Sequence, residues 1–142
     1  MKQYSIKTCS WLACKELLSD IRRQVFICEQ NVPEELEWDE FDTLAQHVIA
    51  LNSEKKAVAT GRIKADGHIG RMAVLKSYRQ QGIGSKILLA LLDIAHDKKL
   101  DSVYLHAQTS AIAFYEKHGF TCSSEEFLDA GIPHKSMYKK II

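Results

Sequence analysis

The stretch Met72-Ala73-Val74-Leu75-Lys76-Ser77-Tyr78-Arg79-Gln80-Gln81-Gly82-Ile83-Gly84-Ser85-Lys86 decides how the chain is read. It begins as a strand, passes through a polar segment carrying Gly82 and Gly84, and from Ile83 onward repeats apolar residues at helical spacing. A loop that opens a helix in this way leaves main-chain N–H groups without partners at the positive end of the helix dipole. That combination is a receptor for phosphate or diphosphate. The amides of Gln80, Gln81, Gly82, Ile83, Gly84 and Ser85 are the candidate donors. Gly82 and Gly84 let an anion approach the backbone with no Cβ in the way, and Arg79 adds a charged donor. Two familiar phosphate loops do not fit. A P-loop needs glycine, lysine, then serine or threonine, whereas Gly84 is followed by Ser85 and Lys86; a dinucleotide fingerprint starting at Gly82 would meet Ile87 where its third glycine belongs.

Outward from this loop the elements fall into order. The helix Ile83 to Lys98 carries Ile83, Ile87, Leu88, Leu91, Leu92 and Ala95 as one stripe, with Lys98 and Lys99 at its negative end. Upstream, Gln46 to Leu51, Ala57 to Ile63 and His68 to Leu75 read as strands. They are joined by Asn52-Ser53-Glu54-Lys55 and by the hairpin dipeptide Asp66-Gly67, so neighbours should be antiparallel. Tyr4 to Thr8 alternates as an opening strand, and Trp11 to Phe26 repeats Leu12, Leu17, Leu18, Ile21, Val25 and Phe26 at helical spacing. Glu29 to Asp42 is acidic, contains Pro33, Trp38 and Phe41, and reads as an irregular loop with one helical turn. Downstream come a buried strand at Val103 to Ala107 and a short helix at Ala111 to His118, stopped by Gly119. Phe120 to Phe127 and Ser136 to Ile141 close the chain as strands. The order β-α-loop-βββ-α-β-α-ββ predicts a mixed α/β fold in one domain over residues 1–142.

Bulk properties set the remaining bounds. With 142 residues, 46% hydrophobic and 26% charged, the chain has the composition of a soluble globular domain. A formal net charge of +1 gives no global field toward nucleic acid or an acidic membrane. The longest apolar run, Ile87 to Leu92, is too short for a bilayer, and the first residues lack a secretory leader. The expectation is a cytoplasmic protein. Cys9, Cys14, Cys28 and Cys122 form no C-x-x-C pair, so no metal is expected and the thiols read as reduced. Cys28 and Cys122 are expected in the core.

Arg79, Gly82 and Gly84 match in register the Arg/Gln-x-x-Gly-x-Gly/Ala acyl-coenzyme A loop of the GNAT superfamily. Ala111-Ile112-Ala113-Phe114-Tyr115-Glu116-Lys117-His118-Gly119-Phe120 resembles the family's second signature, A-x-x-F-Y-x-K-x-G-F. The segment Val25-Phe26-Ile27-Cys28-Glu29-Gln30, followed by Asp39, Asp42 and His47, is similar to that of a subgroup of small bacterial members, as is the tail Glu126 to His134. The resemblance implies the acyl-CoA N-acyltransferase fold, with a central, mostly antiparallel sheet flanked by helices. It implies transfer of an acetyl group from acetyl-coenzyme A to an amine acceptor, with homodimers common among members.

On that resemblance, Ala73 and Val74 lie where the preceding strand binds pantetheine, and the Val74 N–H faces the carbonyl oxygen. Tyr115 stands beside the sulfur as general acid. Gln108 takes the place of an asparagine that touches the coenzyme, and Lys117 is a candidate phosphate contact. For the proton acceptor, Glu29 leads, His106 is a second candidate, and an ordered water relay stays open. His47, Asp39, Asp42 and His134 either shape the acceptor pocket or brace loops. Two other readings stand beside the enzyme: a non-catalytic acyl-coenzyme A sensor, and an interaction domain using the acidic segment Glu34 to Asp42.

Overall fold

Ser10 starts the first helix by accepting the Ala13 N–H on its hydroxyl at 3.1 Å, and Gly82, with φ of +81°, starts the longest one. Between and after them the computed structural model, which describes residues 3–141, runs β1 (Ser5–Cys9), α1 (Trp11–Arg22), a π-helical stretch (Arg23–Glu29), α2 (Glu34–Glu37), β2 (Gln46–Leu51), β3 (Ala57–Ile63) and β4 (Ile69–Val74). It continues with α3 (Ile83–Asp97), β5 (Ser102–Gln108), α4 (Ile112–Lys117), β6 (Thr121–Cys122), β7 (Phe127–Asp129) and β8 (Ile132–Lys140).

The mostly antiparallel arrangement expected from the sequence takes the form of two antiparallel sheets. The first has the order β1-β2-β3-β4; in the second, β8 pairs with β5 on one side and with β6 and β7 on the other. They touch through one parallel bridge, His68 to Tyr104, with the Tyr104 N–H donating to Gly67 at 3.1 Å. Beyond that bridge no ladder joins β4 and β5, among the described residues. The gap between them is the cavity described below.

Side-chain alternation along β2 divides the core. Val48 and Ala50 face α3, whose Ile83, Ile87, Leu88, Leu91 and Ala95 are buried against both sheets. Ile49 faces the other way, onto Leu18, Ile21 and Val25. Each valine, leucine or isoleucine among them contributes about 1.5–3 kcal/mol on burial. The helix α3 comes so close to β3 that a Cβ on Gly61 would lie 2.8 Å from Ile87 Cγ2. Opposite Gly61, two residues of β4 rather than one, Arg71 and Met72, bulge out of the ladder. Arg71 has φ of +50°.

Several boundaries differ from the sequence reading. The first helix passes Phe26 and continues to Glu29 as a π-helix. Its expected stripe is broken, because Leu12 and Leu17 are exposed while Arg22 is buried. Cys28 is exposed rather than in the core, and Cys122 is half-buried. The strand expected from Phe120 to Phe127 divides, because the Ser124 hydroxyl accepts the Ser136 N–H at 2.9 Å and stands in for a ladder partner. The last strand begins at Ile132 because Ala130 and Gly131, with φ of +53° and +77°, make a two-residue hairpin. Pro133 fits there because its only ladder is with β7; pairing to β5 starts at His134.

Candidate active site

The turn into α3 keeps its amides free. Among the described residues no side chain caps the helix, and its first main-chain bond runs from the Lys86 N–H to the Gly82 carbonyl at 3.3 Å. The preceding residue in the left-handed region is Gln80, φ +63°; Tyr4 donates its hydroxyl to the Gln81 side chain. A Cβ on Gly82 would meet nothing within 4 Å, so the turn is open to solvent. Ser85 and His118 are 3.0 Å apart through Oγ and Nε2, tying α4 to this turn.

The cavity between β4 and β5 holds about 490 Å³ and is bordered by the turn, α4 and the π-helical stretch. Val74 lies on its β4 wall. In the β3–β4 ladder the Leu75 N–H donates to Val58, so by antiparallel alternation the Val74 N–H and C=O point away from β3. The Val74 carbonyl accepts Arg79 Nε at 2.9 Å on that side. Ala73 is buried against α1.

Tyr115 reaches the same cavity from α4. Its hydroxyl donates to the thioether sulfur of Met72 at 3.6 Å, and burial pushes its phenol up to about 12. Phe114 and Phe120 hold the ring edge-on, with centroids at 5.1 and 5.8 Å.

Glu29 and Arg79, both expected here, hold one another. The guanidinium donates to both carboxylate oxygens, at 2.5 and 2.7 Å, and these bonds lower the Glu29 carboxyl below its ordinary range. Glu29 does not line the cavity, whereas Arg79 does. Gln108 lines it too, its amide donating to Gln30 at 2.8 Å.

His106 faces the cavity from β5, between His68 and Phe127 at 4.9 and 5.4 Å, and partial burial lowers its imidazole. His134 lines the same end, with Nδ1 at 2.6 Å from the Ile132 carbonyl. Lys117 is exposed and outside the lining.

Behind the opposite wall lies a charge network that the sequence reading missed. Arg22 donates to Glu37 and Asp42, each at 2.7 Å, and Arg62 donates to Asp39 at 2.7 Å and Asp42 at 2.8 Å. Burial alone would raise the Asp39 carboxyl, but the Arg62 bonds and the Arg71 charge outweigh it and hold it at about 2. Burial dominates at Glu37 and raises it. His47 is buried, 2.9 Å from the Asp42 carbonyl and beside Trp11. His47, Asp39 and Asp42 therefore brace the wall, and of this cluster Glu37, Arg62 and Arg71 border the cavity. Within the acidic segment, Glu37 and Asp42 turn inward onto arginines, while Glu34, Glu35 and Glu40 stay exposed. The missed signal was an arginine inside each apolar run: Arg22 on the buried stripe, Arg62 in AVATGRI and Arg71 in IGRMAV.

Residues 13–141 match the family model described as Acetyltransferase (GNAT) domain. The chain belongs to the GNAT acetyltransferase family. Among its relatives, YyaT of Bacillus subtilis is 46% identical over 127 residues, covering 85% of each chain. The uncharacterized N-acetyltransferase YjcF of the same organism is 45% identical, covering 84% of this chain and 87% of its own. The crystal structure of Escherichia coli ElaA superposes with a TM-score of 0.83 at 27% identity, covering 98% of this chain and 99% of that one. As a GNAT member the chain is an acyltransferase of a family that uses acyl-coenzyme A as co-substrate. Among the described residues no cluster of three His, Cys, Asp or Glu is arranged for a metal, and no helix is long and apolar enough to cross a membrane.

Proposed function

We propose that this GNAT protein transfers the acetyl group of acetyl-coenzyme A to a primary amine by direct attack on the thioester. The observation that carries the reading is the uncapped N-terminus of α3 opening beside a cavity that the Val74 N–H and the Tyr115 hydroxyl both face. The free amides from Gln80 to Ser85 suit the diphosphate of the coenzyme. The split between β4 and β5 gives its pantetheine arm an unpaired strand edge. Val74 is aimed to donate to the carbonyl oxygen as charge develops there. The Tyr115 hydroxyl already bonds a sulfur and stays protonated across the working range, as the donor to a departing thiolate must. Gln108 supports the coenzyme from β5. The segment Val25 to Gln30 fits a small bacterial subgroup of cytoplasmic enzymes.

An alkyl amine is mostly protonated near neutrality and must first lose a proton. We assign this to His106, whose lowered imidazole is neutral there and faces the cavity. Glu29 is the weaker acceptor while both of its oxygens are bound to Arg79, because those bonds lower its carboxyl. A diphosphate competing for Arg79 frees that carboxylate, which makes Glu29 the second acceptor in the proposal.

The test is release of free thiol from acetyl-coenzyme A in the presence of a panel of primary amines. Amine-dependent release with acetylated product by mass is expected. Coenzyme binding without transfer across the panel would replace the enzyme by a sensor of the same fold.

A further inference from the structure

We propose that the acceptor of this enzyme carries a carboxylate near its reacting amine, and that Arg71 holds it. This rests on the acetyltransferase reading above and adds the class of acceptor. Three arginines and three carboxylates meet behind the cavity, and two of the arginines are held there by short bonds. Arg22 and Arg62 have side chains 1% and 5% exposed and make bonds of 2.7–3.0 Å to Glu37, Asp39 and Asp42. Arg71 pairs with Glu37 and Asp39 as well, but more loosely, at 3.4 and 3.2 Å. Its side chain is 27% exposed and lines the cavity. Nε and Nη2 make bonds of 3.0–3.4 Å, chiefly to the carbonyls of Leu36 and Glu37. Nη1 makes none among the described residues, yet it is not sealed from solvent.

The backbone reinforces the point. Arg71 sits at φ +50° on the β4 bulge, a conformation that non-glycine residues seldom adopt. An ordinary ladder position would turn this side chain elsewhere; the bulge brings it to the wall of the cavity. Burial disfavours its charge, so an incoming anion gains more there than at an exposed arginine. The cavity's other arginines hold their carboxylates more tightly, Arg62 at 2.7 and 2.8 Å and Arg79 at 2.5 Å, against 3.2 and 3.4 Å for Arg71. From Arg71 to Val74 is about 10 Å along a strand, and the arginine arm shortens that span. A carboxylate a few bonds from the amine meets Arg71 while the nitrogen reaches the thioester. At the other end, Asp129, His106 and His134 favour the ammonium side of the same molecule.

The experiment uses matched acceptors: glycine with methylamine, β-alanine with ethylamine, and lysine with cadaverine. For each pair the ratio of kcat/KM is measured with acetyl-coenzyme A, and binding to the coenzyme A complex is measured by calorimetry. The carboxylate-bearing partner should lead in at least one pair by about tenfold or more. Arg71→Gln should bring that ratio to within about threefold of one, with Arg71→Lys between. A ratio within one preparation cancels any unfolded fraction. Preference for the decarboxylated partner in every pair, or a ratio unmoved in Arg71→Gln, would overturn the assignment. If no amine is acetylated the acetyltransferase reading falls. The calorimetric preference, and its loss in Arg71→Gln, then decides the role of Arg71 by itself.

Discussion

Gly82→Glu separates coenzyme binding from folding at the turn into α3. Gly82 has φ of +81°, so any L-residue there costs about 1–2 kcal/mol. No atom lies within 4 Å of the added Cβ, so there is no steric cost beyond the backbone. A carboxylate in the first turn of an uncapped helix recovers about 0.3–1 kcal/mol from the dipole. Gly82→Glu should therefore be as stable as Gly82→Ala, or slightly more so, with melting temperatures within a few degrees. Binding should differ sharply. At about 5 Å, and at an effective dielectric near 20, each pair of like charges costs about 3 kcal/mol. A diphosphate brings roughly two such charges, and half of that repulsion surviving screening still weakens binding about 100-fold. Calorimetric titration of coenzyme A into wild type, Gly82→Ala and Gly82→Glu, beside thermal melts of each, gives the comparison. Gly82→Glu binding coenzyme A within about threefold of Gly82→Ala would refute the placement of the diphosphate on these amides.

Two further outcomes follow from the geometry. Tyr115→Phe keeps the ring against Phe114 and Phe120 but removes the hydroxyl from the Met72 sulfur; kcat should fall about 10²- to 10⁴-fold with coenzyme affinity little changed, and a kcat within about threefold of wild type would remove the tyrosine from the chemistry. His68, stacked on Tyr104 at 4.6 Å, is lowered by burial from 6.5 to about 4. The unfolded chain therefore takes up this proton first, so stability present above pH 6.5 declines toward pH 4, by about 2 kcal/mol after allowing for solvent. Urea unfolding at intervals across that window checks the slope, which His68→Phe should flatten.

Much of the fold was legible because each element carried its own signal. The α3 stripe, Asp66-Gly67 at the β3–β4 turn and Gly119 after α4 each state a local preference that the packing keeps. The phosphate turn was legible for the same reason, since helix start, glycines and arginine fall within a few residues. What stayed hidden depends on distant partners. The π-helical run has no periodicity of its own, and Arg22 breaks a helical stripe only because Glu37 and Asp42 arrive to neutralise it. The pairing of Glu29 with Arg79 joins residues 50 positions apart, so both could be named but not their embrace. The usual burial of a free cysteine points Cys28 to the core, and lengthening the helix to Glu29 carries it to the surface instead.

The irregular backbone is also not spread evenly. Of the six non-glycine residues with positive φ among the described residues, Lys55 and Lys99 sit in ordinary turns, and the other four border the cavity or its mouth. Arg71 and Ala130 line it, Asn31 stands between the lining residues Gln30 and Val32, and Gln80 follows Arg79. The π-helical stretch and the β4 bulge add two more departures on the same rim. Regular strands and helices would close such a gap: an unbulged β4 continuing beside β5 extends the ladder past His68 and Tyr104 and takes up the Val74 N–H. Each departure costs stability where it stands, and apart from the kink at Cys14 and the register shift at Ala50 and Leu51 those outside ordinary turns surround one opening. That concentration is what a fold requires if it must hold two parallel neighbours apart for a substrate to enter between them.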